Sequence, residues 1–160
     1  GFPNEEVKYG FLNFVSPFYT PIAQTDTSFY IGKFIRELES GDVDAFLTRL
    51  RCFFAGIPYD LNDRTERHYQ TVFYLVFQLM GQFTETELRS ARGRADAVVK
   101  TPDYIYVFEF KLNDSAEAAL RQIDEKGYLL PYQADGRKVV KVGVAFEKEE
   151  RNIGEWVIGE

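Results

Sequence analysis

The order of elements along the chain predicts an α/β fold with an N-terminal helical extension. Three observations carry this: helical periodicity through the first half of the 160 residues, alternating apolar segments between 83 and 112, and a capped helix followed by further strand-like runs. Asn4 is placed to cap a helix to about Val15, with Glu5 and Glu6 favouring its start and Ser16-Pro17 ending it. Residues 18–27 read as a linker. Ser28–Glu39 is amphipathic and stops at Ser40-Gly41. Asp42 then caps a second helix with Phe46, Leu47, Leu50, Phe53 and Phe54 at helical spacing, broken by Gly56-Ile-Pro58. Thr65–Met80 is the most apolar helix, with Gly81 behind it. Strands are expected at Phe83–Arg89, Arg94–Thr101 and Tyr104–Leu112. Asp114-x-x-Glu117 reads as a capping box opening a helix to about Lys126. Val139–Phe146 alternates as a strand, Glu147–Asn152 is a charged turn, and Ile153–Ile158 reads as a last strand.

Composition narrows the chemistry. With 15 Phe, 10 Tyr and 45% hydrophobic residues, the chain can bury a sizeable core. No apolar run reaches membrane-spanning length and no charged-then-apolar leader is present, so no membrane partner is expected. The single cysteine, Cys52, excludes an internal disulfide and fits a reducing, cytoplasmic location. A start at Gly1 with Met80 as the only methionine suggests a piece of a longer protein. One His and one Cys are too few ligands for a structural zinc. No Gly-x-Ser-x-Gly elbow accompanies His68, and Gly32-Lys33 lacks the rest of a phosphate-binding loop.

The chemistry that remains lies in Gly93-Arg94-Ala95-Asp96 and, after twelve intervening residues, Glu109-Phe110-Lys111. These sit on two consecutive predicted strands joined by Thr101-Pro102-Asp103. In the second strand Ile105, Val107, Glu109 and Lys111 share one face and Tyr106, Phe108 and Phe110 the other. Both faces are mainly apolar, so the strand is expected to be buried, and its charges need partners. If the strands pair through the tight turn, Asp96 and Glu109 approach one another. Two carboxylates brought together out of bulk water repel unless a cation lies between them. Carboxylates alone suit a hard, oxygen-ligated ion such as Mg²⁺.

Asp96…Glu109-x-Lys111 resembles the signature of the PD-(D/E)xK nuclease superfamily, whose fold is restriction-endonuclease-like: a mixed central sheet flanked by helices. Arg94-Ala-Asp96-Ala-Val-Val, Tyr104-Ile-Tyr-Val-Phe-Glu109-Phe-Lys111-Leu and Ala119-Leu-Arg-Gln122-Ile…Gly127-Tyr128 further resemble a nuclease domain found at the C-terminus of a bacterial family, behind an AAA-like ATPase domain. Gly1-Phe-Pro-Asn-Glu-Glu-Val resembles the stretch between those two domains. The resemblance implies a helical lead-in or inter-domain segment over residues 1–64 and a nuclease-like domain over 65–160. The Pro that often precedes the first Asp is Ala95 here, a position without a chemical role.

The resemblance also implies roles. Asp96 and Glu109 would hold Mg²⁺, with Mn²⁺ able to substitute, and the carbonyl of Phe110 would be a further ligand. Lys111 would act on the attacking water or on charge in the transition state. Glu66 lines up with Tyr69, Phe73, Phe77 and Met80 and would add a metal or water contact. Its plainer role is in Asp63-x-x-Glu66, itself a capping box. His68 aligns with Val72, Leu75 and Leu79, where a satisfied core residue is the plainer reading. Gln122 would anchor Lys111 or a phosphate, and Tyr128 would reach substrate, against a helix-surface amide and simple packing. Arg92 and Arg94 would contact phosphate, in a basic rim with Arg89, Lys100 and Lys111. The expected substrate is nucleic acid, DNA by resemblance. The net charge of −6 speaks against strong binding and for a rival reading, a catalytically idle fold of the same type serving as an interaction module for the ATPase domain.

Overall fold

A computed structural model describes residues 24–56, 66–91, 94–147, 149–150 and 152–159. The helix expected from Asn4 to Val15 lies outside them. The chain divides into two compact units, 1–84 and 85–160.

The first unit holds α1 (Gln24–Glu39), α2 (Val43–Ala55) and α3 (Glu66–Met80). Helix α1 starts within the segment expected to be a linker. It ends on Gly41 at φ 86°, with Gly41 N–H donating to Leu38 O and Asp42 N–H to Glu37 O. This left-handed stop delivers Asp42 directly to its own task, accepting a hydrogen bond from Ala45 N at 3.0 Å as the N-cap of α2. The expected spacing on α2 is all core: Phe46, Leu47, Leu50, Phe53 and Phe54 are buried. Edge-to-face rings join the helices, Phe34 to Phe46 at 5.4 Å and Phe46 to Phe77 at 6.1 Å between centroids. Phe73, Phe77 and Met80 bury the predicted face of α3.

The second unit is a mixed sheet in the order β1 (Glu85–Ala91), β2 (Arg94–Lys100), β3 (Tyr104–Lys111), β4 (Lys138–Glu147), β5 (Asn152–Gly159). Pairing is antiparallel except between β3 and β4, which run parallel. A parallel return needs a crossover, and α4 (Ala116–Glu125) supplies it. β1 begins two residues later than Phe83. Thr84 donates from both its backbone N–H and its hydroxyl to Met80 O, which keeps the chain in a turn after α3. The cap of α4 is likewise one residue later than the Asp114 capping box. Ser115 Oγ accepts from Ala118 N at 3.0 Å, while Asp114 Oδ1 accepts from Ser115 N. A short 3₁₀ turn, Leu130–Tyr132, was not foreseen.

Helix α4 lies directly on β4. A Cβ on Gly143 would collide with the carbonyl oxygen of Ala116 and come within 2.7 Å of Leu120 N. Because the obstacle is helix backbone, it cannot be relieved by turning a side chain. Gly143→Ala is expected to destabilise the unit by about 1–3 kcal/mol, read as a lower midpoint in urea denaturation at unchanged slope.

Candidate active site

Register places the motif. Asp96 pairs with Glu109 and Arg94 with Lys111 across β2 and β3. Glu109 pairs with Gly143 on β4, and Arg89 on β1 with Asp96. Paired residues project from the same side of a sheet, so Arg89, Asp96, Glu109 and Gly143 form one row, with Lys111 two residues along the same face. Opposed pairs have Cβ atoms about 4.5–5.5 Å apart. The two carboxylates are therefore neighbours.

Both are buried. Glu109 is fully enclosed, and Asp96 is 8% exposed. Among the described residues Asp96 Oδ1 has no hydrogen-bond partner. Asp96 Oδ2 accepts a long hydrogen bond, 3.4 Å, from the Tyr128 hydroxyl. Lys111 Nζ donates to Gln122 Oε1. Phe110 is buried on the other face, where Tyr104, Tyr106, Phe108 and Phe110 stack in sequence at 5.7, 6.0 and 5.9 Å. The role assigned to Phe110 could therefore fall only to its carbonyl, not to its side chain.

Helix α4 and its C-terminus bring Gln122 and Tyr128 to this face. Gly127, at φ +66°, ends the helix in a left-handed turn, its N–H donating to Asp124 O and that of Tyr128 to Ile123 O. The chain is thereby turned back so that Tyr128 reaches Asp96. The structure thus assembles Asp96, Glu109, Lys111, Gln122 and Tyr128. Arg94 enters through its backbone register, and its side chain lies outside the described residues, as do those of Glu66 and His68 on α3. Arg92 lies wholly outside them.

A cavity of about 220 Å³ opens beside Asp96, lined also by Glu87, Arg89, Val98, Val107, Lys126, Tyr128 and Tyr132. Burial, and next the charge of Glu87, raises the Tyr132 hydroxyl above its ordinary pKa, with Lys100 opposing. The Lys100 ammonium stands 5.3 Å from the Tyr132 ring centroid. Sequence reasoning missed Glu87, Lys126 and Tyr132. Glu87 and Arg89 carry a legible signal, two-residue spacing on a strand paired with the motif strand. Lys126 and Tyr132 carry none, because only the turn after α4 brings them here.

The donor set fits a hard divalent cation: two adjacent carboxylates, one with an unsatisfied buried oxygen, and a nearby backbone carbonyl. Among the described residues no group of three or more His, Cys, Asp or Glu side chains converges. A site here would draw on two carboxylates and on backbone or water oxygens.

Comparison with known proteins bears directly on this arrangement. The family model of the PD-(D/E)XK nuclease superfamily matches residues 64–156. The chain belongs to that superfamily, and its mixed five-stranded α/β sheet is consistent with the restriction-endonuclease-like fold. Members are generally nucleases and typically use divalent metals. A protein of Azotobacter chroococcum mcd 1, described as an uncharacterised protein in the vnfD 5′ region, is 31% identical over 164 residues. That match takes in 98% of this chain, which spans about a third (32%) of the relative's length. No solved structure matches. No helix among the described residues is long and apolar enough to cross a membrane.

The carboxylate pair has a testable consequence for stability. In EDTA, Asp96→Asn removes one member of a like-charge pair and is expected to raise the melting temperature by a few degrees, about 2–4 °C per kcal/mol for a chain of this size. Mn²⁺ should raise the wild-type melting temperature and leave that of Asp96→Asn nearly unmoved. Differential scanning calorimetry with and without the ion checks both.

Proposed function

We propose that this domain is a metal-dependent nuclease that hydrolyses phosphodiester bonds, with DNA as substrate. The observation that carries the reading is the register of Asp96 opposite Glu109, with Lys111 two residues on along the same face. Asp96, Glu109 and the carbonyl of Phe110 would hold Mg²⁺ or Mn²⁺. When bound, the ion supplies Lewis-acid polarisation of the phosphate and a more acidic water. Lys111 is the residue that acts on the reacting atoms. Its ammonium donates hydrogen bonds to the attacking water or to the phosphoryl oxygens as negative charge builds on them. In-line attack forms the new P–O bond as the bond to the leaving oxygen breaks. Gln122 positions Lys111 by accepting one of its three N–H bonds, leaving the others for water and substrate. Tyr128 steadies Asp96, and Arg92 and Arg94 would contribute contacts to phosphate.

The domain would work in the cytoplasm beside an AAA-like ATPase domain elsewhere in the same protein. The short span of the chain within its relative leaves room for such a partner. A second reading, an idle module that binds that partner, draws its support from the net charge of −6, since nucleic-acid surfaces are usually basic.

Cleavage separates the two. Plasmid, linear DNA and RNA incubated with the domain should yield products in Mg²⁺ or Mn²⁺ and none in EDTA. Asp96→Asn, Glu109→Gln and Lys111→Ala should each lower turnover by about 100-fold or more, with Lys111→Ala retaining the ion. Gln122→Ala should cost about tenfold, the size of effect typical of a residue that orients another. Absence of cleavage by the wild type, alone and joined to the ATPase domain, would decide for the interaction module.

A further inference from the structure

The cavity beside Asp96 is more specific than a path for a phosphate backbone requires. We propose that it takes one unpaired nucleotide of the substrate strand, adjacent to the phosphate being cut. The domain would therefore act on single-stranded ends or flaps in preference to intact duplex. This inference rests on the nuclease reading and deepens it.

Its walls make the case. Val107 is buried and Val98 half-buried, giving an apolar base on the sheet, while Tyr128 and Tyr132 supply aromatic walls from the turn after α4. Apolar floor and aromatic wall together suit a flat heteroaromatic ring, which every base offers and a phosphate does not. Arg89 and Lys126 are exposed lining residues, positioned for the phosphates on either side of that ring. Glu87 contributes an acceptor for exocyclic N–H groups.

Position supplies the rest. Asp96 lines the cavity and also belongs to the carboxylate pair. A ring held in the cavity thus lies next to the phosphate engaged by Asp96 and Glu109. A base inside a duplex is stacked and paired, and cannot enter without the cost of being flipped out. A cavity of about 220 Å³ has room for a single ring system.

The test compares three fluorescein-labelled probes in low-salt buffer containing Ca²⁺: a single-stranded oligodeoxynucleotide, the blunt duplex of the same sequence, and that duplex with a single-stranded tail. Fluorescence anisotropy should rank the single strand and the tailed duplex about tenfold or more above the blunt duplex. Tyr132→Leu should bring that ratio towards one, the loss expected from removing one base–aromatic stack, while Tyr132→Phe should keep it. A 2-aminopurine base in the single strand should be quenched on binding the wild type and Tyr132→Phe, and remain bright with Tyr132→Leu. Circular dichroism melting confirms that each variant is folded, and Tyr132→Gln, which also removes the ring, replaces Tyr132→Leu if the latter is not. Equal affinity for all three probes, or quenching that survives Tyr132→Leu, would overturn the inference while leaving the nuclease reading standing. Failure of the wild type to bind any probe, together with no cleavage in Mg²⁺ or Mn²⁺ either alone or joined to the ATPase domain, would overturn both.

Discussion

Everything at the candidate site depends on the register of one hairpin. Thr101, itself buried, donates from its backbone N–H to Tyr104 O at 2.8 Å, and its hydroxyl both accepts from Tyr104 N and donates to Tyr104 O. This clamp closes the loop so that Lys100 faces Ile105, and four residues further along each strand Asp96 faces Glu109. Arg137 holds the loop from outside by donating to Thr101 O, and is itself gripped by both oxygens of Asp135. A slip of one residue would send Asp96 to the face where Tyr106, Phe108 and Phe110 are packed. The apolar stack on that face and the polar row on this one therefore enforce the same register.

The helix over the sheet is the second constraint. Gly143 sits beside Glu109 in the row and has no side chain, so the backbone of α4 can rest on the strand. That closeness lets Gln122, an ordinary amide on an amphipathic helix, reach Lys111. The left-handed turn at Gly127 then folds the chain down over the row and brings Tyr128 to Asp96. Two glycines thus do for the upper wall of the site what the hairpin does for its floor. Neither glycine has any chemistry of its own.

Electrostatics run against the packing at one place. A sheet that buries Val107, Phe108 and Phe110 also encloses Glu109 and nearly encloses Asp96. Burying like charges together weakens a fold, and a structure keeps such an arrangement only where something compensates. Arg89 stands in the same row, and a divalent ion would be a further compensation that suits the oxygen donors present, of the kind superfamily members typically use. On the proposed function, the overall acidity of the chain would limit how strongly a polyanion is held by charge alone, and aromatic walls such as Tyr132 would gain importance in binding.

By itself the sequence determined the period of nearly every described element. Strand β3 alternates between a chemical face and an apolar face, and α2 repeats its large residues every three or four positions behind an Asp42 cap. Those patterns are local, because side-chain direction follows from backbone period alone. The motif residues were legible for the same reason, since Asp96, Glu109 and Lys111 belong to two strands joined by a short turn. Boundaries were less so: Ser115 displaced Asp114 as the cap, and Thr84 delayed β1, each through local hydrogen bonds that composition does not rank. Only the tertiary structure decided which distant groups meet the motif. Arg89 joins the row through the pairing of β1. Gln122, Lys126, Tyr128 and Tyr132 arrive through a helix whose height is set by Gly143 and whose exit is set by Gly127. Such contacts depend on how closely two backbones approach, and no periodicity in one strand records the space left by a missing side chain in another.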